Sequence, residues 1–183
     1  VAVPVVPLEE DAGLPGLDDS RLRVVALDAA PVGFGDGGAR IDAVRFTDQD
    51  DRPLVQFAGG EVVRLRIAVS AERSIPSPIV GFLLKDRLGQ PVLGRNTWRE
   101  DAPAPAVSAG QRMEGCFEFR MPHLPRGRYT LDVAVADGDH FQHVQLSWVY
   151  DALALESAPS TVTTGLVGIP YRVVSLSVVD DGP

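Results

Sequence analysis

"EVVRLRIAVS", residues 61–70, decides the fold. Val63, Leu65, Ile67 and Val69 fall on one side of an extended chain, and Arg64 and Arg66 fall on the other. A helical period of 3.6 would scatter the four apolar residues around its circumference, whereas a period of two gathers them on one wall. The stretch is therefore read as a half-buried strand, apolar towards a core and cationic towards water.

The same beat continues on both sides. "ARIDAVRFTD" (39–48) alternates, with Ile41, Val44 and Phe46 in one strand. "QRMEGCFEFRM" (111–121) places Met113, Phe117 and Phe119 inward, and Glu114, Cys116, Glu118 and Arg120 outward. "RYTLDVAVAD" (128–137) puts Tyr129, Leu131, Val133 and Val135 inward. "PIVGFLLKD" (78–86) is apolar at both parities, as in a strand covered on each side. It turns through Asp86–Gln90 into "PVLGRNTW" (91–98). "RLRVVALD" (21–28) is a first strand, "FQHVQLSWVYDALALES" (141–157) is one long strand or two joined at a bend, and "PYRVVSLSVVD" (170–180) is a last one. Eight or so short strands with close turn signals and no amphipathic helix predict an all-β antiparallel sandwich of immunoglobulin-like or jelly-roll type. Residues 1–20 mix Pro, Gly and acids without a period and read as a linker or disordered tail. Residues 21–183 then form the sandwich domain.

The totals narrow the function classes. The 183 residues carry a net charge of −8, and the pI is about 4.8. Such a surface repels nucleic acid, because phosphate binding needs clustered cations. All but one of the 17 Lys and Arg residues are Arg, and they are scattered. No apolar run is long enough for a membrane helix and no leader pattern is visible. The sequence starts without Met and reads as part of a longer chain. With Cys116 as its single cysteine, the chain forms no internal disulfide, which fits a reducing compartment.

Catalytic and cofactor signatures are weak. Gly33 and Gly35 sit in "APVGFGDGGARI" (30–41), but a phosphate loop needs a following helix, and a strand pattern follows instead. Cys116 has no Cys/His constellation around it. Asp137, Asp139, His140 and His143 have residue types suited to a metal, yet "DGDHFQH" reads more simply as a polar hairpin turn. No catalytic residue, metal or cofactor is assigned. Aromatic and amide side chains are the better signal, since sugar rings stack on aromatic faces while their hydroxyls seek polar side chains. Trp98 lies beside Asn96 and Arg99, and Tyr150 lies near His140, His143 and Gln145. These seven are the candidate carbohydrate-binding residues. Each Trp reads equally well as core, and the parity of Val144, Leu146 and Trp148 turns Trp148 inward, leaving His143, Gln145 and Ser147 exposed.

The order of several short motifs resembles the C-terminal domain of Wzt-type proteins, the ATP-binding subunits of O-antigen ABC exporters. The motifs are Gly60-Glu61; Gly81-Phe82 with Lys85-Asp86 and Gly89; Gly94-x-Asn96-Thr97; and Leu124-x-x-Gly127-x-Tyr129. "GFGDGGARI" and "YDALALES" add to a likeness over residues 33–157. The resemblance implies a non-catalytic sandwich that recognises the terminal end of the O-antigen polysaccharide before export. It further implies a cytoplasmic location at the inner face of the inner membrane, together with a nucleotide-binding domain and a membrane subunit. A homodimer formed through the C-terminal strand, exchanged over 170–180, is also implied. No Gly-x-x-x-x-Gly-Lys-Ser/Thr loop occurs, so this chain lacks the ATPase domain. The alternative is a dimerisation or docking adaptor without glycan contact.

Overall fold

In the computed structural model, residues 20–99, 101, 102, 104–169, 175 and 176 are described. The strands run β1 (Ser20–Val25), β2 (Gly33–Phe34), β3 (Ala39–Thr47), β4 (Gln56–Ala58) and β5 (Val62–Ala71). They continue with β6 (Pro78–Asp86), β7 (Pro91–Asn96), β8 (Arg112–Arg120), β9 (Gly127–Gly138) and β10 (His143–Ser160). The expected strand at 170–180, with its exchange between protomers, lies outside the described residues apart from residues 175 and 176. So does the expected linker, except that Ser20 already belongs to β1 and is fully buried.

Two antiparallel sheets face each other. The larger has the order β4-β1-β10-β9-β6-β7, with β2 paired to β10, and the smaller is β3-β5-β8. Val63, Leu65, Ile67 and Val69 of β5 are completely buried. Opposite them stand Val80, Phe82 and Leu84 of β6 and Leu131, Val133 and Val135 of β9 in one continuous core. At ~1.5–3 kcal/mol for each fully buried aliphatic side chain, this core is the main source of stability.

Two details tie sequence motifs to the fold. The Tyr129 hydroxyl donates to the Pro125 carbonyl at 2.8 Å, locking the chain as it enters β9 in the manner of a sandwich tyrosine corner. Gly33 and Gly35 are not a phosphate loop. A Cβ at either would overlap the carbonyl oxygens of Trp148 and Leu146 respectively, so glycine is what lets this segment lie against β10.

The outer face of the smaller sheet is polar, as Arg64 and Arg66 required. Arg64 pairs with Glu118 at 2.7 Å and with Asp51 at 3.2 Å, and Arg66 pairs with Asp51 and Glu114. Cys116 is exposed on this same sheet.

Candidate functional site

The outer face of the larger sheet is different, being apolar, concave and open. On β6 the inward residues Val80, Phe82 and Leu84 leave Ile79, Gly81, Leu83 and Lys85 for the opposite side. The second apolar parity of "PIVGFLLKD" therefore does not meet a covering layer. It floors a cavity of about 850 Å³.

Pairing register explains the hollow. Asn96 of β7 is opposite Gly81 of β6, Gly81 is opposite Ala134 of β9, and Ala134 is opposite Trp148 of β10. A parallel row runs from Gly94 through Leu83 to Asp132, and another from Ile79 through Ala136 to Gln145. In the row from Asn96 to Trp148, Gly81 and Ala134 keep the middle low and bulk rises at the two ends, while Leu83 and Ile79 flank that row on β6.

At one end, the Gly89 turn returns the chain as β7, and Asn96 and Trp98 follow. The Asn96 side-chain oxygen accepts the Trp98 backbone N–H at 3.2 Å, and the Thr97 hydroxyl oxygen accepts the Val80 N–H at 3.0 Å. These bonds fix the direction in which Trp98 leaves the strand. Its half-buried ring stacks on His140, with centroids 5.3 Å apart and planes at 30°. Arg99 is held by Asp101 at 2.8 Å. Asp139 caps the β9–β10 turn, accepting N–H groups from Phe141 and Gln142, both at 2.7 Å. Those two donors, Gln142 foremost, hold its carboxyl below the usual carboxylate range. Asp137 accepts the Ser77 N–H, and His143 Nδ1 lies 3.1 Å from the Asp139 carbonyl. The Asp and His residues of "DGDHFQH" thus build a turn. No cluster of three or more His, Cys, Asp or Glu placed to hold a metal occurs among the described residues.

At the other end the strand parity expected for β10 breaks. Gln145 pairs with Ala136, but Ser147 already pairs with Val135, so one extra residue is inserted at Leu146. Leu146 remains buried, Val144 is left exposed, and Trp148 is thrown to the outer face beside Ala134. The inward placement expected for Trp148 is thus corrected. A β-bulge reverses the faces, and alternation cannot reveal one. Gln145 fills the bulge, its amide donating to Val135 O at 2.7 Å and Ser147 O at 2.9 Å.

The displaced Trp148 joins two further rings. Phe34 of β2 lies 6.0 Å away with planes at 18°, and Tyr150 lies 6.1 Å away. Next to them, Lys85 Nζ sits 2.7 Å from Asp132 and 3.3 Å from Asp151, and 5.5 Å from the Tyr150 ring centroid. Burial lowers the Lys85 pKa, but the Asp132 and Asp151 carboxylates together outweigh it and leave the group raised. Asp151 is held below its usual value, first by the Thr130 hydroxyl and also by Lys85.

Of the seven candidates, Trp98, Asn96, Arg99, His140, His143 and Gln145 surround this one cavity. Tyr150 stands just outside it, behind Trp148. Phe34, Trp148, Lys85 and Asp132 were not singled out as site residues. Asp132 carries the clearest missed signal, being a carboxylate inside an otherwise apolar strand run.

The model of the Wzt C-terminal domain family matches residues 31–169. The chain belongs to the Wzt C-terminal domain family. A crystal structure of the C-terminal domain of wzt shares its fold with a TM-score of 0.61 at 21% identity, over 81% of this chain and 89% of that one. No curated protein matches the sequence. As a Wzt C-terminal domain, the chain is a non-catalytic sandwich of the O-antigen ABC transporter family, separate from the ATPase domain. Among its described residues no helix is long and apolar enough to cross a membrane.

Proposed function

We propose that the concave outer face of the larger sheet binds the O-antigen glycan, with Trp98 as a stacking surface and Asn96, Arg99, His140 and His143 as polar contacts around it. The observation that carries this reading is a broad sheet face with small residues at its centre and half-buried aromatic rings at its ends. An unliganded face of this kind leaves apolar rings partly wetted. A polyol recovers that area while its hydroxyls meet polar groups at the rim. Gln145 supports the site by holding the bulge. Acting within a transporter at the cytoplasmic face of the inner membrane, the domain reads the lipid-linked polymer before export.

The test is titration of the protein with delipidated O polysaccharide from the source bacterium, followed by calorimetry and by backbone amide shifts. Shifts centred on Asn96–Arg99 and His140–Gln145 are expected. Saturating polysaccharide that leaves these amides unmoved would reject the reading and favour a docking adaptor.

A further inference from the structure

The aromatic groups stand apart on one sheet face, Trp98 on His140 at the β9–β10 turn and Trp148 with Phe34 further along β10, and that arrangement says more than that the face binds sugar. Asn96, Gly81, Ala134, Trp148 and Phe34 occupy consecutive strands in register, and Trp98 follows Asn96 by two residues. Ala134, which pairs with Trp148, lies four residues before Gly138 at the end of β9, where the turn carrying His140 begins; at ~3.3 Å per residue, the floor between the two groups measures roughly 13 Å. A single pyranose ring covers only part of that length, so this floor is too long for one sugar.

Charge narrows the occupant. Arg99 is engaged by Asp101, and Lys85 by Asp132 and Asp151. Arg95, at the β7 edge, is exposed, and an exposed cation contributes little to binding. A carboxylate or phosphate on the glycan would thus meet no buried unpaired cation, and the exposed Arg95 and Arg99 and the rings of His140 and His143 share the cavity lining with Asp101, Asp132 and Asp139.

Trp148 itself carries a second sign. Its indole N–H is buried without an acceptor, a cost that a Phe at the same place would avoid. Its value to the site accordingly lies in the ring face and not in the hydrogen bond.

We infer that the site is a two-ended trough for an uncharged run of at least two consecutive sugars, held between Trp98–His140 and a second platform made by Trp148 with Phe34. The inference rests on the glycan-binding reading. The short strand β2 is the brace of this platform, since its pairing with β10 holds Phe34 against Trp148.

The experiment compares the parent protein with W148A, W148F and A134L, each titrated with delipidated O polysaccharide from the source bacterium. W148A should weaken binding about thirtyfold, the size of an aromatic anchor, and W148F should lose several-fold less than W148A because a ring remains. A134L raises the floor without touching the core and should cost roughly tenfold or more by overfilling the trough. It decides the matter if W148A fails to fold. Affinity should change less than about threefold between ~0.05 and ~0.5 M NaCl, since no ion pair with the glycan is broken by screening. Parent-like affinity in both W148A and A134L, or a steep fall with salt, overturns the two-ended neutral trough while glycan binding stands. A parent protein that ignores the polysaccharide removes both readings together.

Discussion

Replacing Lys85 by Met probes the charge cluster beside the trough. Asp132 is 2% exposed, and its Oδ1 accepts both Lys85 Nζ at 2.7 Å and the Asp151 N–H at 2.9 Å. Two unit charges ~4 Å apart attract by about 4 kcal/mol at an effective dielectric of ~20. Part of that is offset by the desolvation that Lys85 no longer suffers. The cation–π contact with Tyr150 adds about 0.5–1 kcal/mol. Breaking a fully buried pair costs about 3–5 kcal/mol. Water reaches this pair through the partly open Lys85 and Asp151, so the expected loss is about 2–3 kcal/mol. For a chain of this length that lowers Tm by roughly 4–12 °C. Urea unfolding monitored by far-UV circular dichroism measures the change directly. The double variant K85M/D132N, which removes the stranded charge but keeps an acceptor for the Asp151 N–H, should recover at least half of the loss. A K85M protein within about 0.5 kcal/mol of the parent, or a double variant less stable than K85M, would refute the reasoning.

Three further outcomes follow from the geometry. Tyr129→Phe deletes the hydrogen bond to Pro125 and should cost about 1 kcal/mol, seen as a lower urea midpoint with an unchanged slope. Gly33→Ala drives a Cβ into the Trp148 carbonyl. It should release β2 and, in a Trp98→Phe background where Trp148 is the only reporter, shift tryptophan emission to the red; unchanged emission would mean that β2 is not the brace. Asp139 and Asp151 both ionise below the usual Asp value of 3.8. A depressed folded pKa contributes stability that is present above the unfolded value and is lost as pH falls through the folded one. The urea midpoint should therefore hold down to about pH 4 and decline below it, and a midpoint that rises on acidification contradicts the assignment.

How much of this was legible in the sequence depended on whether the governing interactions were local. The β5 face was readable because every second residue from Val63 to Val69 meets the core with no interruption. The turn at Asp86–Gln90 was readable from its Asp and Gly. The side to which Trp148 points was not, because the bulge at Leu146 moves one residue out of step and leaves no compositional mark. "PIVGFLLKD" was misread on its outer side because an uncovered trough and a covering layer select the same apolar residues. The strand β2 was invisible, since two residues carry no period. The groups that shape the site, Trp98 with His140 and Lys85 with Asp132 and Asp151, are brought together only by the strand order of the larger sheet. The residue types for the proposed site were therefore visible, but their arrangement was not.

The floor of the trough is built on regular strands, so under the proposed reading recognition and folding occupy alternate positions of the same segments. On β6, Val80, Phe82 and Leu84 hold the sandwich while Gly81 and Leu83 meet whatever lies outside. On β9, Val133 and Val135 do the former and Ala134 and Ala136 the latter. If the trough holds the polymer as proposed, a lineage whose surface polymer changes can resculpt the outer positions one at a time, leaving the interior residues beside them untouched. Diversification of what is held need not wait for compensating changes in what holds it.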